Sequence, residues 1–516
     1  MDSNPSSLCL SIDGIDNAFE AVGLLRLFTP AAPLLLPEPG IWGDRPPQAF
    51  SAFDMVVRLE ACDTTERFEA RACVYRRGQV AGEGRLGFRP DEARGPAALL
   101  AGSRKLCAGT ALYRALSMAF SLELPWGSLT GVRPVKLASC LLDAGISQQE
   151  ARSLLSERTG MSAENAARLL TVATHERPFL VPPADSVSLY VGIPFCATRC
   201  LYCSFTAYSV HRYGGMVPDY LDALGRELGF IGRWMAEHGK RLSAVYIGGG
   251  TPTALTSDEL ARLLDRMGQT LPLASALEFT VEAGRPDTVD AGKLAVIRDA
   301  GASRISINPQ SMQEATLRRI GRAHTPEQVE HAFLLARELG FTNINADLIA
   351  GLPGETPEDF EGTLARMAPL GPDSLTVHTM AVKRASRLHA SMAEGRAEPQ
   401  TPDTEVAMMV AQAARFAMAQ GLQPYYLYRQ KNILANLENT GYARPGAACR
   451  YNVETMSERQ TILAAGSGAI TKVSHSGRNL ERVENVRELA HYIGRIDEMI
   501  ERKRALLARH FSEMGR

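Results

Sequence analysis

Tryptophan is scarce in this chain, three in 516 residues with the last at Trp234, and histidine numbers only ten. Formal net charge is −1, and no long block carries one sign, so bulk electrostatics offers nothing to a nucleic-acid partner. No apolar run reaches the length of a transmembrane helix, and no membrane span is expected. The start, Met1-Asp2-Ser3-Asn4-Pro5, lacks the basic segment of a secretory signal, which points to a cytoplasmic protein. No fourth Cys or His stands near the one cysteine cluster, so a closed four-ligand zinc site is incomplete there. The glycine-rich run Thr461–Ile470 has no Walker lysine and does not read as a phosphate loop. It suits a strand and a tight turn.

What is present is ordinary for a globular chain: 45% apolar and 22% charged residues. At 516 residues it has length for two or three domains. Of nine cysteines, Cys9, Cys62, Cys73, Cys107, Cys140 and Cys449 are scattered and suit buried thiols. The other three, Cys196, Cys200 and Cys203, fall in one octapeptide at CxxxCxxC spacing, directly after the apolar run Ser188–Phe195. Thiolates on one loop suit a soft metal centre, and three around a cubane leave one iron open. Zinc and an unliganded buried trio are the alternatives.

The predicted organisation has three parts. Residues 1–180 read as an N-terminal α+β and helical module. Strands are expected at Leu8–Ile12, Met55–Ala61, Phe68–Tyr75 and Val80–Phe88, followed by a long helix over Ala97–Ser121 and shorter helices after Pro134, Ser147 and Ser162. Residues 181–385 alternate strand and helix six times. The strands are placed at Val187–Ile193, Ala244–Ile247, Glu278–Glu282, Arg304–Asn308, Asn343–Ile349 and Ser374–Thr379. Such alternation implies parallel strands with right-handed crossovers, and six units an open, partial barrel. Residues 386–516 are predicted to be a mostly helical extension covering the substrate.

In such folds the chemistry sits at the carboxyl ends of the strands. The first five ends here each carry a polar group. The first bears the cysteines. The second bears Gly248-Gly249-Gly250-Thr251-Pro252-Thr253, whose bare backbone can approach a ligand closely. The third ends in Glu282, the fourth in Asn308-Pro309-Gln310. The fifth carries Asp347, costly in an apolar strand unless paired or bound, and Arg322 is a candidate partner for it. Any one of these is commonly structural; five on one face are not.

The stretches Tyr190–Cys196 with Cys200, Tyr202 and Cys203, then Gly248–Thr253, then Asp347 with Gly351-Leu352-Pro353-Gly354, resemble the radical SAM (S-adenosylmethionine) superfamily in its oxygen-independent coproporphyrinogen III oxidase branch. Trp126–Pro134, Arg304–Gln310 and Tyr425–Asn432 extend the resemblance to the HemZ-type coproporphyrinogen III dehydrogenases. The resemblance implies a [4Fe–4S] cluster on Cys196, Cys200 and Cys203. It implies SAM contacts at Tyr190, Gly249, Gly250, Thr251, Glu282, Gln310, Arg322 and Asp347, and a second SAM at Tyr202 and Ala381, hence one or two SAM molecules. Gly192 stands where the branch often has His, and Ser204-Phe205 where it often has Gly-Cys.

The activity implied is radical decarboxylation of two propionates of coproporphyrinogen III to vinyl groups, giving protoporphyrinogen IX in heme biosynthesis, with an external electron donor and acceptor. A tetrapyrrole with four carboxylates calls for basic and aromatic side chains. Arg429, Lys431 and Tyr428 are the first candidates. Tyr425, Tyr426, Arg444, Arg450, Lys383, Arg384, Arg387, Arg199 and Arg212 form the wider set. The alternatives are another radical SAM tetrapyrrole-modifying enzyme or methyltransferase, and a heme-binding chaperone. The chaperone group usually shows His-Asn-x-x-Tyr-Trp, which this chain lacks; His389 and His475 are isolated.

Overall fold

The computed structural model describes residues 5–16, 18–30, 32–36, 53–92, 94, 98–131, 133–183, 185–396, 400–430, 432–475 and 479–511. The chain divides into two compact units, Met1–Thr174 with Leu427–Arg429, and His175–Tyr426 with Gln430–Arg516.

The first unit holds a five-stranded sheet in the order Leu34–Leu35, Leu8–Asp13, Met55–Asp63, Phe68–Arg76, Gln79–Phe88. The first three pair in parallel and the rest form an antiparallel meander. The long helix expected over 97–121 is broken. Ala98–Ala101 stops at Gly102, and Ser103 then caps Arg104–Phe120 by accepting a bond from the Leu106 amide at 3.3 Å. That helix meets the sheet backbone to backbone. A Cβ on Gly82 or Gly84 would lie 2.1 or 2.0 Å from the carbonyl oxygens of Ala115 and Ala111.

The second unit is built on one eleven-stranded sheet. Its six central strands are β1 (Ser186–Ile193), β2 (Arg241–Gly249), β3 (Glu278–Gly284), β4 (Arg304–Gln310), β5 (Ile344–Ala350) and β6 (Ser374–Thr379). They are the six strands expected from the sequence, parallel and adjacent in chain order. The intervening helices include Val217–Glu237, Ser257–Thr270, Ala291–Asp299, Pro326–Glu338 and Pro357–Met367. Thr256, Thr325 and Thr356 each open a helix with a reciprocal capping box.

The C-terminal region extends this sheet at both edges. Its strands are β7 (Gln423–Tyr428), β8 (Asn439–Ala443), β9 (Ile462–Ala465), β10 (Ile470–His475) and β11 (Asn479–Glu484). The spatial order is β7-β8-β6-β5-β4-β3-β2-β1-β9-β10-β11. β9 runs parallel to β1, and β8 antiparallel to β6. The expected strand and turn over 461–470 is β9 and the glycine turn after it. Helices still provide most of the regular structure here, among them Arg450–Ser457 and Ile496–Phe511.

The two faces of the central sheet differ. Val191, Val245, Ile247, Val281, Ile305, Ile307 and Leu348 are buried in one continuous apolar core with the helices. The alternate positions are polar, as period-two pleating requires. Tyr190 sits beside Tyr246, Ser306 beside Asn345, and Asp347 beside Thr376.

Candidate active site

The cysteine loop leaves β1 and is held from several sides. The Thr251 amide donates to the Phe195 carbonyl and the Gly250 amide to that of Ile193, both at 2.7 Å. The Leu201 amide donates to the Ile320 carbonyl at 2.9 Å, and the Thr198 hydroxyl to that of Gly321 at 2.9 Å. Arg285 donates to the Thr198 hydroxyl at 2.8 Å while paired with Asp287 at 3.0 Å. The loop is therefore tied to the ends of β2, β3 and β4 at once.

Cys196 lies 3.5 Å from the Thr251 hydroxyl. Burial pushes its thiol up to about 11, and burial raises that of Cys203 as well. As free thiols these two are protonated at neutral pH; a bound cation would hold them as thiolates. Among the described residues no three Cys, His, Asp or Glu side chains converge as a single ion requires. A cubane asks for less convergence, since each thiolate takes a different iron.

The glycines after β2 are needed by the chain itself. A Cβ on Gly250 would lie 2.5 Å from the Phe195 carbonyl oxygen. Gly249 has φ +110°, and a Cβ there would lie 3.2 Å from Ile193 backbone atoms. This closeness lets the second strand end grip the cysteine loop. Gly192 is crowded too, with the Tyr190 ring 3.3 Å and the Ala465 carbonyl of β9 3.6 Å from where its Cβ would stand.

Along the polar face, Tyr246 donates to Glu282 at 2.6 Å. Burial raises the Glu282 carboxyl to about 7, opposed by the Tyr246 bond and raised further by the Asp347 charge. For Asp347 burial alone would raise the carboxyl, but His378 and the Asn345 amide outweigh it and the net shift is downward. The Asn345 amide donates to Asp347 at 2.7 Å, and His378 Nε2 lies 3.7 Å away. These are its partners, not Arg322, which donates to the Asn308 carbonyl at 2.8 Å.

Two polar atoms at the end of β4 lack partners. Gln310 Oε1 and Arg322 Nε are buried with no hydrogen bond among the described residues. Gln310 also holds φ +68°, a left-handed conformation costly for a residue with a Cβ. Buried, unpaired and strained groups at a strand end are the marks of a ligand site.

Tyr202 packs against the apolar cluster that includes Leu317, Ile349, Leu352 and Met380, and Ala381 forms a bridge with Ile433. The candidate substrate residues lie differently. Arg429 is 3% exposed, donates to the Leu129 carbonyl and lies 5.8 Å over the Trp126 ring. Its guanidinium is engaged inside the first unit, so the expected grip on a propionate is replaced by a packing role. Tyr428, at the end of β7, is half-buried, and Lys431 lies outside the described residues. Arg444 and Arg450 face Asp373 and Glu454 at 3.7 and 3.5 Å.

Tyr246, Tyr451 and His378 were not singled out from the sequence. The rings of Tyr190, Tyr246 and Tyr451 are stacked, with Tyr246 and Tyr451 4.7 Å apart. Tyr246 carried a signal, the apolar–aromatic alternation of Ala244-Val245-Tyr246-Ile247, which puts it on the face of Tyr190. Tyr451, delivered from a distant helix, carried none.

Residues 190–367 match the model of the radical SAM superfamily. The oxygen-independent coproporphyrinogen-III oxidase-like protein HemZ of Bacillus subtilis is 42% identical over 355 residues, 67% of this chain and 70% of that protein. The chain belongs to the radical SAM superfamily. Within it the chain falls in the branch of the coproporphyrinogen III oxidase-like proteins. The heme chaperone HemW of Bacillus subtilis is 32% identical, over 60% of this chain and 76% of its own. The solved coproporphyrinogen III oxidase HemN of Escherichia coli, a radical SAM enzyme, superposes with a TM-score of 0.51 at 26% identity. It covers 63% of this chain and 72% of its own. Radical SAM proteins use a [4Fe–4S] cluster and SAM. The donors described above, three cysteines on one loop and unpaired polar atoms facing the same end of the sheet, suit both groups.

Proposed function

We propose that this radical SAM enzyme oxidatively decarboxylates propionates of coproporphyrinogen III to vinyl groups, giving protoporphyrinogen IX. The observation that carries the reading is the 42% identity to the HemZ coproporphyrinogen-III oxidase-like protein over 355 residues. Cys196, Cys200 and Cys203 would hold the cluster. Tyr190, Gly249, Gly250, Thr251, Glu282, Gln310, Arg322 and Asp347 would cradle SAM, with Tyr202 and Ala381 beside a second molecule.

When bound, the cluster and SAM supply a carbon-centred radical by one-electron cleavage of a sulfonium bond. The chain's own residues position and shield. Gln310 Oε1 would accept a donor from the ligand and Arg322 Nε would donate to a carboxylate, which would satisfy both unpaired atoms. Glu282, raised to about 7, keeps part of its proton at neutral pH and can donate or accept at a ligand amine or hydroxyl. Asp347, held ionised by His378 and Asn345, adds negative charge on the same face.

A second reading follows from the HemW relatives: heme binding without turnover. The absence of the His-Asn-x-x-Tyr-Trp motif from the chain weighs against it. One assay separates the two. Protein reconstituted without oxygen is given SAM, a low-potential reductant and coproporphyrinogen III, and CO₂ and vinyl products are measured. Turnover supports the decarboxylase. Tight heme binding with no CO₂ overturns it in favour of the chaperone. SAM cleavage without decarboxylation points to a different radical SAM reaction.

A further inference from the structure

Past β6 the chain holds Ala381, given above to a second SAM, and then a basic turn that neither the cluster nor SAM uses. Its backbone is fixed at both sides. The Met380 amide donates to the Ala350 carbonyl at 2.8 Å, and the Val382 amide to that of Asn432 at 3.2 Å. A turn then closes as the Ser386 amide reaches the Lys383 carbonyl at 2.9 Å. Arg199 of the cysteine loop donates to the Ala385 carbonyl at 2.8 Å, and the Leu388 amide to that of Leu201 at 2.9 Å. The turn and the cysteine loop are one rim.

This rim carries Lys383, Arg384 and Arg387. Among the described residues none of the three side chains has a hydrogen-bond or ion-pair partner. Arg199 and Arg285, at the same end of the sheet, are engaged on the Ala385 carbonyl and on Asp287. Lys383 is half-buried, and burial alone lowers its ammonium below the ordinary lysine range. A half-buried cation with no counter-charge is costly unless an anion completes it. Arg387 further lines an open cavity of about 350 Å³ with Leu201 of the cysteine loop, Ala390, Ser391 and the Glu394–Arg396 pair, whose carboxylate is already engaged by Arg396.

We propose that Lys383, Arg384 and Arg387 form the carboxylate-reading rim of the tetrapyrrole site. The assignment rests on the tetrapyrrole reading above and replaces Arg429, whose guanidinium is committed elsewhere. It applies to either outcome of the turnover assay, because decarboxylase substrate and heme both carry propionates. The rim touches the cysteine loop, so carboxylates anchored there place the ring's edge beside the radical source. Guanidinium groups suit this task, since each can present two parallel N–H donors to a carboxylate.

The test uses full-length reconstituted protein and fluorescence quenching of coproporphyrin III, with its tetramethyl ester as the uncharged probe. Lys383→Gln and Arg387→Gln are each expected to weaken coproporphyrin III binding about tenfold, the loss of one charge-assisted contact. Ester binding should stay as in the unsubstituted protein, and Lys383→Arg should restore affinity for the acid. Iron content and circular dichroism of each variant certify its fold. Binding of the acid that ignores both substitutions overturns the inference while leaving the tetrapyrrole reading in place. Equal weakening for acid and ester overturns it too, because ring packing would then be what changed. If the unsubstituted protein binds neither probe, the tetrapyrrole reading falls and this inference with it.

Discussion

At the scale of single residues, the glycines after β2 mark where backbone contact does the holding. Gly250→Ala would drive a Cβ into the Phe195 carbonyl at 2.5 Å. Backbone on both sides prevents relief, so the cysteine loop must shift. We expect this variant to fold but to retain well under half of the iron of the parent after reconstitution, read by iron analysis. Cys203→Ser removes one thiolate donor, and a hydroxyl is a poor ligand for iron in a cubane. Iron loading and SAM cleavage should both be lost; retained cleavage would show that the three cysteines do not act as a set. Gln310 teaches a different lesson. Its side-chain chemistry was legible in Asn308-Pro309-Gln310, but its left-handed φ and unpaired oxygen belong to the folded chain alone.

At the scale of elements, the loop after β5 shows a buried carboxyl joining two strand ends. Glu355 is 1% exposed, accepts the Ser311 hydroxyl next to Gln310, and among the described residues leaves Oε2 unpaired. Burial raises its carboxyl to about 7. A carboxyl whose folded value lies above its unfolded one binds more protons when folded. Its stabilising contribution is therefore complete below about pH 4 and is lost as pH rises through about 7. Glu355→Gln keeps the neutral shape and removes the titration. The variant should gain about 1–3 kcal/mol over the parent at pH 8 and little at pH 5, measured by denaturant unfolding at the two pH values. An equal shift at both would remove Glu355 as the source. The carboxyl was visible in the sequence as the residue after Gly351-Leu352-Pro353-Gly354; its burial was not.

At the scale of the whole second unit, the C-terminal helix Ile496–Phe511 is tied to the helix Val217–Glu237 by a fully buried ion pair, Lys503 with Glu227. Glu227 also accepts the Tyr492 hydroxyl at 2.7 Å and the Gly466 amide at 2.8 Å. Gly466 in turn abuts Gly192 of β1, where a Cβ would meet the Gly192 carbonyl at 2.5 Å. A tail helix thus braces the strand that carries the cysteines. Lys503→Met leaves Glu227 buried and uncompensated, a loss of about 3–5 kcal/mol. The double variant Glu227→Gln with Lys503→Met should recover most of it, read as thermal midpoints of the two proteins. Failure of the double variant to recover would assign the loss to packing instead of charge.

The sequence by itself determined the six central strands and most of their helices, because alternation, capping threonines and closing glycines are local signals that survive burial. It also determined the cysteine loop and the polar strand ends, whose spacing is written along the chain. Only the tertiary structure decided what completes them. β9 lies beside β1, Tyr451 stacks on Tyr246 and Tyr190, and Arg450–Ser457 is capped by Glu278 from the start of β3. Each of these joins residues far apart in the chain, and such pairings leave no periodic trace. The fate of the cations follows the same division. Composition could name Arg429, Arg444, Lys383 and Arg387 as equals. Folding engaged Arg429 with the Leu129 carbonyl and Arg444 with Asp373, and left Lys383 and Arg387 without a partner among the described residues, because a guanidinium is satisfied by whichever carbonyl or carboxylate the fold brings near.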